Sequence, residues 1–195
     1  MKNTTLRPIH LSLLILSSCI ILFSSCSSEL SFDDYINNPV EFEKKEYAND
    51  KMEFTISLPN NWKIDDTYDS LGIFSYESFK PMKKHADPNF RMQVTKYLGS
   101  NNELDAELEN LNKSENLPAG FEKIASEKTS FMFKESQYSH VQSSEGNQVK
   151  MTLISFIMEA PEDSTFFMVL CAVPNDIDQL ENMSVLLSCA KDFKF

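Results

Sequence analysis

Met52, Phe54, Ile56 and Leu58 alternate with Glu53, Thr55 and Ser57, and the alternation stops at Pro59-Asn60-Asn61. A period of two sets the four apolar side chains on one side of a strand, so the stretch needs a second layer to bury them. Ile73 to Phe79 and Arg91 to Leu98 read as two further strands. Phe121 to Lys128, Lys134 to Ser144, Gln148 to Glu159 and Ser164 to Val173 read as four more. Glu145-Gly146-Asn147 and Pro161-Glu162-Asp163 are turn signals, which make this second group consecutive antiparallel neighbours.

Two helical patterns interrupt the strands. Leu104, Leu108 and Leu111 recur at helical spacing, with Asn101 or Asn102 placed to cap the start and Pro118-Ala119-Gly120 closing the segment. Ile177, Leu180, Met183, Ser184, Leu187 and Ala190 mark a C-terminal helix entered through Pro174-Asn175-Asp176, and Phe193 and Phe195 are expected to pack under the sheet. The predicted class is α+β, a mostly antiparallel sheet flanked by helices.

The N-terminus has a different grammar. Lys2 and Arg7 precede an apolar run from Leu11 to Phe23, the layout of a secretory signal peptide. As a helix that run reaches only about 20 Å, short of the roughly 30 Å hydrocarbon core, so cleavage is expected rather than a retained span. Phe23-Ser24-Ser25-Cys26 resembles a bacterial lipobox, in which small residues fit the peptidase and the cysteine thiol carries a diacylglycerol. Leu16-Ser17-Ser18-Cys19 is the alternative. It has the better leucine-first pattern, but would leave Ile20-Ile21-Leu22-Phe23 exposed beside the lipid. Cys26 is followed by the polar Ser27-Ser28-Glu29 and is the preferred lipidation site. Residues 1–25 are then the signal peptide, 26–50 a polar, acidic and flexible tether, and 51–195 the domain.

Charge limits the partners. Removing residues 1–25 takes away two bases and no acids, so the formal net charge moves from −11 to −13. Nucleic acid is disfavoured, because its binding needs basic surface to release counterions. Membrane association should come from lipid, with several acyl chains needed for a firm hold. Fifteen Phe and nine Met can fill a substantial core, while four Gly argue against glycine-rich phosphate loops, and no cofactor is expected.

Phe54-Thr55-Ile56-Ser57-Leu58-Pro59-Asn60-Asn61-Trp62, a strand ending in a proline and a tryptophan, resembles the opening of PsbP-like domains. The order of the later elements is similar across nearly all of 51–195. The resemblance implies an α/β/α sandwich around an antiparallel sheet and a superfamily whose better-known members act as assembly or binding factors without catalysis. Only Pro59 and Trp62 match as positions, so no binding residue is carried over.

Candidate chemistry is sparse. His140 follows Ser139 on an expected strand, but no G-x-S-x-G elbow is present and a nucleophile, base and orienting acid would have to converge. Asp65-Asp66-Thr67-Tyr68-Asp69 is acidic enough to raise Ca²⁺, yet Ser70 and Tyr76 occupy the EF-hand Gly and Glu positions, so a solvated acidic loop and no metal are expected. Lys80, Lys83, Lys84 and His85 form the basic cluster of an acidic protein, read first as a solvated loop, with docking of an acidic partner as the alternative. Cys171 and Cys189 stay open between a disulfide and two packed thiols. Trp62 is expected to close the core, with lining a ligand site as the alternative.

These readings describe a lipid-anchored cell-envelope protein, placed at the outer membrane because Ser27 is not an aspartate retention signal, with its periplasmic or surface face open. The expected role is a non-catalytic binding or assembly module for an envelope protein. A carrier or sensor of a small apolar ligand is the second reading and a hydrolase the third.

Overall fold

The computed structural model describes residues 29–60, 62–71, 74–83, 90–98, 106, 117, 119–133, 136–144, 146, 150–161 and 165–195, with 63–71, 74–83 and 98 described by backbone alone. Its strands are β1 (Lys44–Asn49), β2 (Phe54–Pro59), β3 (Trp62–Leu71), β4 (Phe74–Lys83), β5 (Arg91–Leu98), β6 (Phe121–Thr129), β7 (Ser136–Ser143), β8 (Met151–Glu159) and β9 (Thr165–Pro174). Its helices are α1 (Phe32–Ile36) and α2 (Gln179–Lys191).

Seven strands form one sheet in the order β3-β4-β5-β9-β8-β7-β6, with every adjacent pair antiparallel. The chain meanders from β6 to β9, and β5 then pairs with the free side of β9. In register, Val94 stands opposite Val169, Val169 opposite Phe156, and Phe156 opposite Tyr138. One face therefore gathers the buried Met92, Val94, Phe167, Val169, Cys171, Ile154, Phe156, Met158, Tyr138 and His140. Burying each large apolar side chain there contributes about 1.5–3 kcal/mol.

The helices and the β1-β2 hairpin contribute to the same core. Phe54, Ile56 and Leu58 of β2 are buried and alternate with half-buried residues, as their spacing requires. β2 pairs with β1 on one side and, through two hydrogen bonds between Thr55 and Lys194, with the C-terminal segment on the other. Helix α2 buries Met183, Ser184, Leu186, Leu187, Cys189 and Ala190. Phe193 stacks on Phe54 with centroids 5.1 Å apart and is buried. Phe195 stacks on Phe133 but stays 40% exposed, so only the first of the two aromatics belongs to the core as expected. The α+β class and its mostly antiparallel sheet are thus borne out.

Several expectations need correction. The tether assigned to 26–50 is folded from Ser31 onward, and Ser31–Phe195 forms one compact unit. A capping box starts α1: Ser31 Oγ accepts from Asp34 N at 3.2 Å, and Asp34 Oδ2 accepts from Ser31 N at 2.7 Å. Phe32 and Tyr35, three apart on one helix face, then drive α1 into the core. Asp65 to Asp69 is not a loop but part of β3, with Asp65 opposite Lys80 in register. The segment lies at the sheet's edge, where a polar strand is tolerated, and opposite charges across a strand pair favour that register. Ile177 precedes α2 and is 97% exposed, while the N-cap is Asp178 rather than Asn175 or Asp176. Asn175 Oδ1 instead accepts from Thr152 Oγ1 at 2.7 Å.

The signal peptide with Cys19 and Cys26 lies outside the described residues. So does the helix expected over Leu104 to Leu111, apart from Ala106, whose backbone is helical. No helix among the described residues is long and apolar enough to cross a membrane.

Candidate functional site

After α1 the chain bends at Asn38 and runs without regular secondary structure through Pro39-Val40-Glu41-Phe42 before entering β1. Pro39 removes a backbone donor and fixes φ, which suits a segment outside any ladder. Asn38 Nδ2 ties its start to α2 by donating to Ser184 Oγ at 3.1 Å. Ser184 Oγ lies 2.9 Å from Tyr35 O and 2.7 Å from Leu180 O, so its single proton serves one or the other carbonyl and links α1 to α2. Farther along, Asn60 donates to Glu43 through its backbone (3.3 Å) and through Nδ2 to Oε2 (3.0 Å).

Those ties leave a groove of about 570 Å³ between the 38–42 segment and the start of α2. Pro59, Trp62 and Phe90 line its base. The indole meets Phe90 edge to face, with centroids 5.6 Å apart and planes at 85°. Ile177, Leu180 and Val185 supply the opposite apolar wall, and Glu41, Asp178 and Glu181 bring charge. Trp62 is half-buried, so it lines this groove rather than sealing the core.

A second cleft, about 600 Å³, lies where α1 meets β6 and β7. Phe32 stacks on Tyr138 (4.4 Å) and meets Phe131 edge to face (5.5 Å), while Tyr138 Oη donates to Glu127 Oε1 at 2.8 Å. His140 lines this cleft yet is fully buried, and neither ring nitrogen has a hydrogen-bond partner. Burial holds its pKa down to about 4, so the ring is neutral at physiological pH. Ser139 is its neighbour along β7 and faces the other side of the sheet, which separates the two side chains that a Ser-His pair would have to join.

The remaining sequence candidates are scattered. Lys80 and Lys83 sit on β4, paired with Asp65 and Trp62 of β3, so this part of the basic cluster is strand rather than loop. Lys84 and His85 lie outside the described residues. Cys171 and Cys189 are free thiols, both buried. Burial pushes the Cys189 thiol up to about 12 and Cys171 well above its ordinary range. Among the described residues no three His, Cys, Asp or Glu side chains are grouped to hold a metal. The sequence named Pro59, Trp62, Ile177 and Leu180 as strand-end and helix positions and not as one site, because the groove joins residues 38–90 to residues 177–185 through the tertiary fold.

No protein-family model matches the chain, and no curated protein matches it at a significant level. Solved structures do. The PsbP of the cyanobacterium Synechocystis sp. PCC 6803 superposes with a TM-score of 0.55 at 11% identity, over 89% of this chain and 98% of its own. The Ran-binding protein Mog1p of Saccharomyces cerevisiae gives 0.50 at 10% identity, over 79% of this chain and 96% of its own. LpqN of Mycobacterium tuberculosis, involved in cell envelope biogenesis, gives 0.49 at 13% identity, over 86% and 98%. At such identities the likeness is one of architecture, and the chain has the α+β fold of the PsbP-like proteins.

Proposed function

We propose that the protein is a lipid-anchored component of the cell envelope that works as a non-catalytic binding or assembly module. One observation carries the reading: an open groove with aromatic residues at its base, beside which Ile177 stands 97% exposed. Leaving a large aliphatic side chain in water forgoes its burial energy, and beside an open groove with aromatic lining it offers an apolar contact that another molecule can cover. Mog1p, which shares the architecture, is a Ran-binding protein. That supports protein recognition as a use of this fold, by analogy only.

A carrier of a small apolar ligand needs an enclosed apolar cavity. The groove is instead open and edged by three carboxylates, which favours a macromolecular partner. The anchor is Cys26, with Cys19 as the alternative.

Metabolic labelling with palmitate and membrane fractionation of the full-length chain in a diderm bacterium test the anchor. Cys26→Ala should abolish labelling and release the protein, while Cys19→Ala should leave both intact. The reverse pattern would move the anchor to Cys19. Retention of both variants without label would overturn lipid anchoring.

A further inference from the structure

Charge says what kind of partner the groove suits. Three of its described lining residues are charged, and all three, Glu41, Asp178 and Glu181, are acids. Lys44, three residues beyond Glu41, is held elsewhere: its Nζ donates to Asp192 Oδ2 at 2.8 Å and Ser188 Oγ at 2.9 Å. The N-terminus of α2 works the other way, since a helix dipole places about half a positive charge there. Asp178 and Glu181 bring two full negative charges to that same turn, and they prevail. Lys83, in register opposite Trp62, is a single opposing charge on the strand side, and the chain's overall charge of −11 has the sign of the three acids.

Resting on the binding-module reading, we infer that the groove takes a linear segment of a partner protein that is basic and carries apolar anchors. The apolar side chains of that segment cover Trp62 and Ile177, and its Lys or Arg side chains face Glu41, Asp178 and Glu181. The division of labour follows from exposure. Solvated carboxylates contribute little affinity each, but they select sign and speed association, while buried aromatic and aliphatic contacts supply most of the binding energy. An acidic segment or an anionic membrane surface would meet like charge at the rim.

Trp62 is the sole tryptophan, so its emission reports on the groove. The probe is a tryptophan-free peptide of alternating lysine and leucine, with a glutamate-leucine peptide as its mirror in charge, titrated into the full-length detergent-solubilised protein. The lysine peptide should give a saturable blue shift that weakens as salt rises, and the glutamate peptide none. Asp178→Lys with Glu181→Lys should weaken binding by about tenfold. Glu122→Lys with Glu159→Lys, an equal charge change on exposed residues outside the groove, should leave it within about twofold. Both pairs lie at exposed positions, and an unchanged thermal transition checks their folding. Equal loss in both pairs would mean adsorption by overall charge, and would overturn the inference. So would binding of the glutamate peptide, or a shift that appears without peptide as protein concentration rises, which would make a second copy the occupant. Absence of any peptide response, in a protein that still crosslinks to an envelope partner through position 177, would overturn the basic-segment chemistry and leave the binding module standing.

Discussion

The ring of Tyr35 stands edge-on to the imidazole of His140, with centroids 6.0 Å apart and planes inclined at 72°, so the first helix of the domain covers a buried histidine on β7, one strand in from the β6 edge of the sheet. Neither imidazole nitrogen is hydrogen-bonded, and burial lowers its pKa from 6.5 to about 4. The neutral form is therefore the one the fold stabilises. Between pH 6.5 and 4 the unfolded chain binds the extra proton and the folded chain does not, so stability falls as pH falls through that window. The contribution amounts to about 3 kcal/mol when complete.

His140→Phe should remove that part of the acid sensitivity, and it should cost little at pH 7, because an apolar ring of similar shape relieves two unpaired polar atoms. Urea denaturation of both proteins at pH 7.5, 6 and 4.5 gives the comparison. Parallel pH profiles would show that His140 titrates freely in the folded state.

Tyr35 should matter as much as any core residue of the sheet. It is 1% exposed, and its hydroxyl lies 2.6 Å from Gln179 Nε2. Tyr35→Ala is expected to cost about 3–5 kcal/mol. A protease digest of the folded protein should leave residues 31–49 uncut, and ready cleavage between Ser31 and Asn49 would restore the flexible tether that the composition suggests.

The contrast between these segments shows where the sequence is legible. Strand β2 and most of β7 follow from alternation, because their burial repeats every second residue, whereas β8 and β9 bury consecutive residues and are marked instead by apolar runs between turn residues. Helix α1 is only five residues long, too short for periodicity to register. Ser31 with Asp34 three positions on, beside Phe32 and Tyr35, was the available signal. Strand β3 was hidden by its acids, which an edge position accommodates. The groove could not be read at all, since Val40, Trp62, Phe90 and Ile177 meet only through the tertiary fold.

Ile177 and Leu187 should behave oppositely although both are large aliphatics near the same helix. Ile177→Asp removes no buried contact and should leave the unfolding free energy within about 0.5 kcal/mol. Leu187→Ala, at 1% exposure, should cost about 2–5 kcal/mol. Chemical denaturation of the two variants measures both effects, and a large loss for Ile177→Asp would mean that this residue is structural.

Cys171 and Cys189 should resist thiol reagents in the native protein. The thiolate is the reactive form, and burial disfavours it at both sites. At pH 8 labelling should follow the global unfolding rate and become complete in urea. Rapid labelling of the folded protein would show that one of the thiols is accessible.

The central claim is that the groove beside Ile177 is the working surface of an envelope-tethered module. Photo-crosslinking in living cells addresses it most directly, with p-benzoylphenylalanine placed at position 177 and, as the control, at the exposed position 122 of β6. The expected result is one discrete adduct with an envelope protein from position 177, absent at position 122 and lost when Asp178 and Glu181 are changed to lysine. Equal adducts from both positions, or a discrete adduct from position 122 alone, would contradict the assignment of the groove.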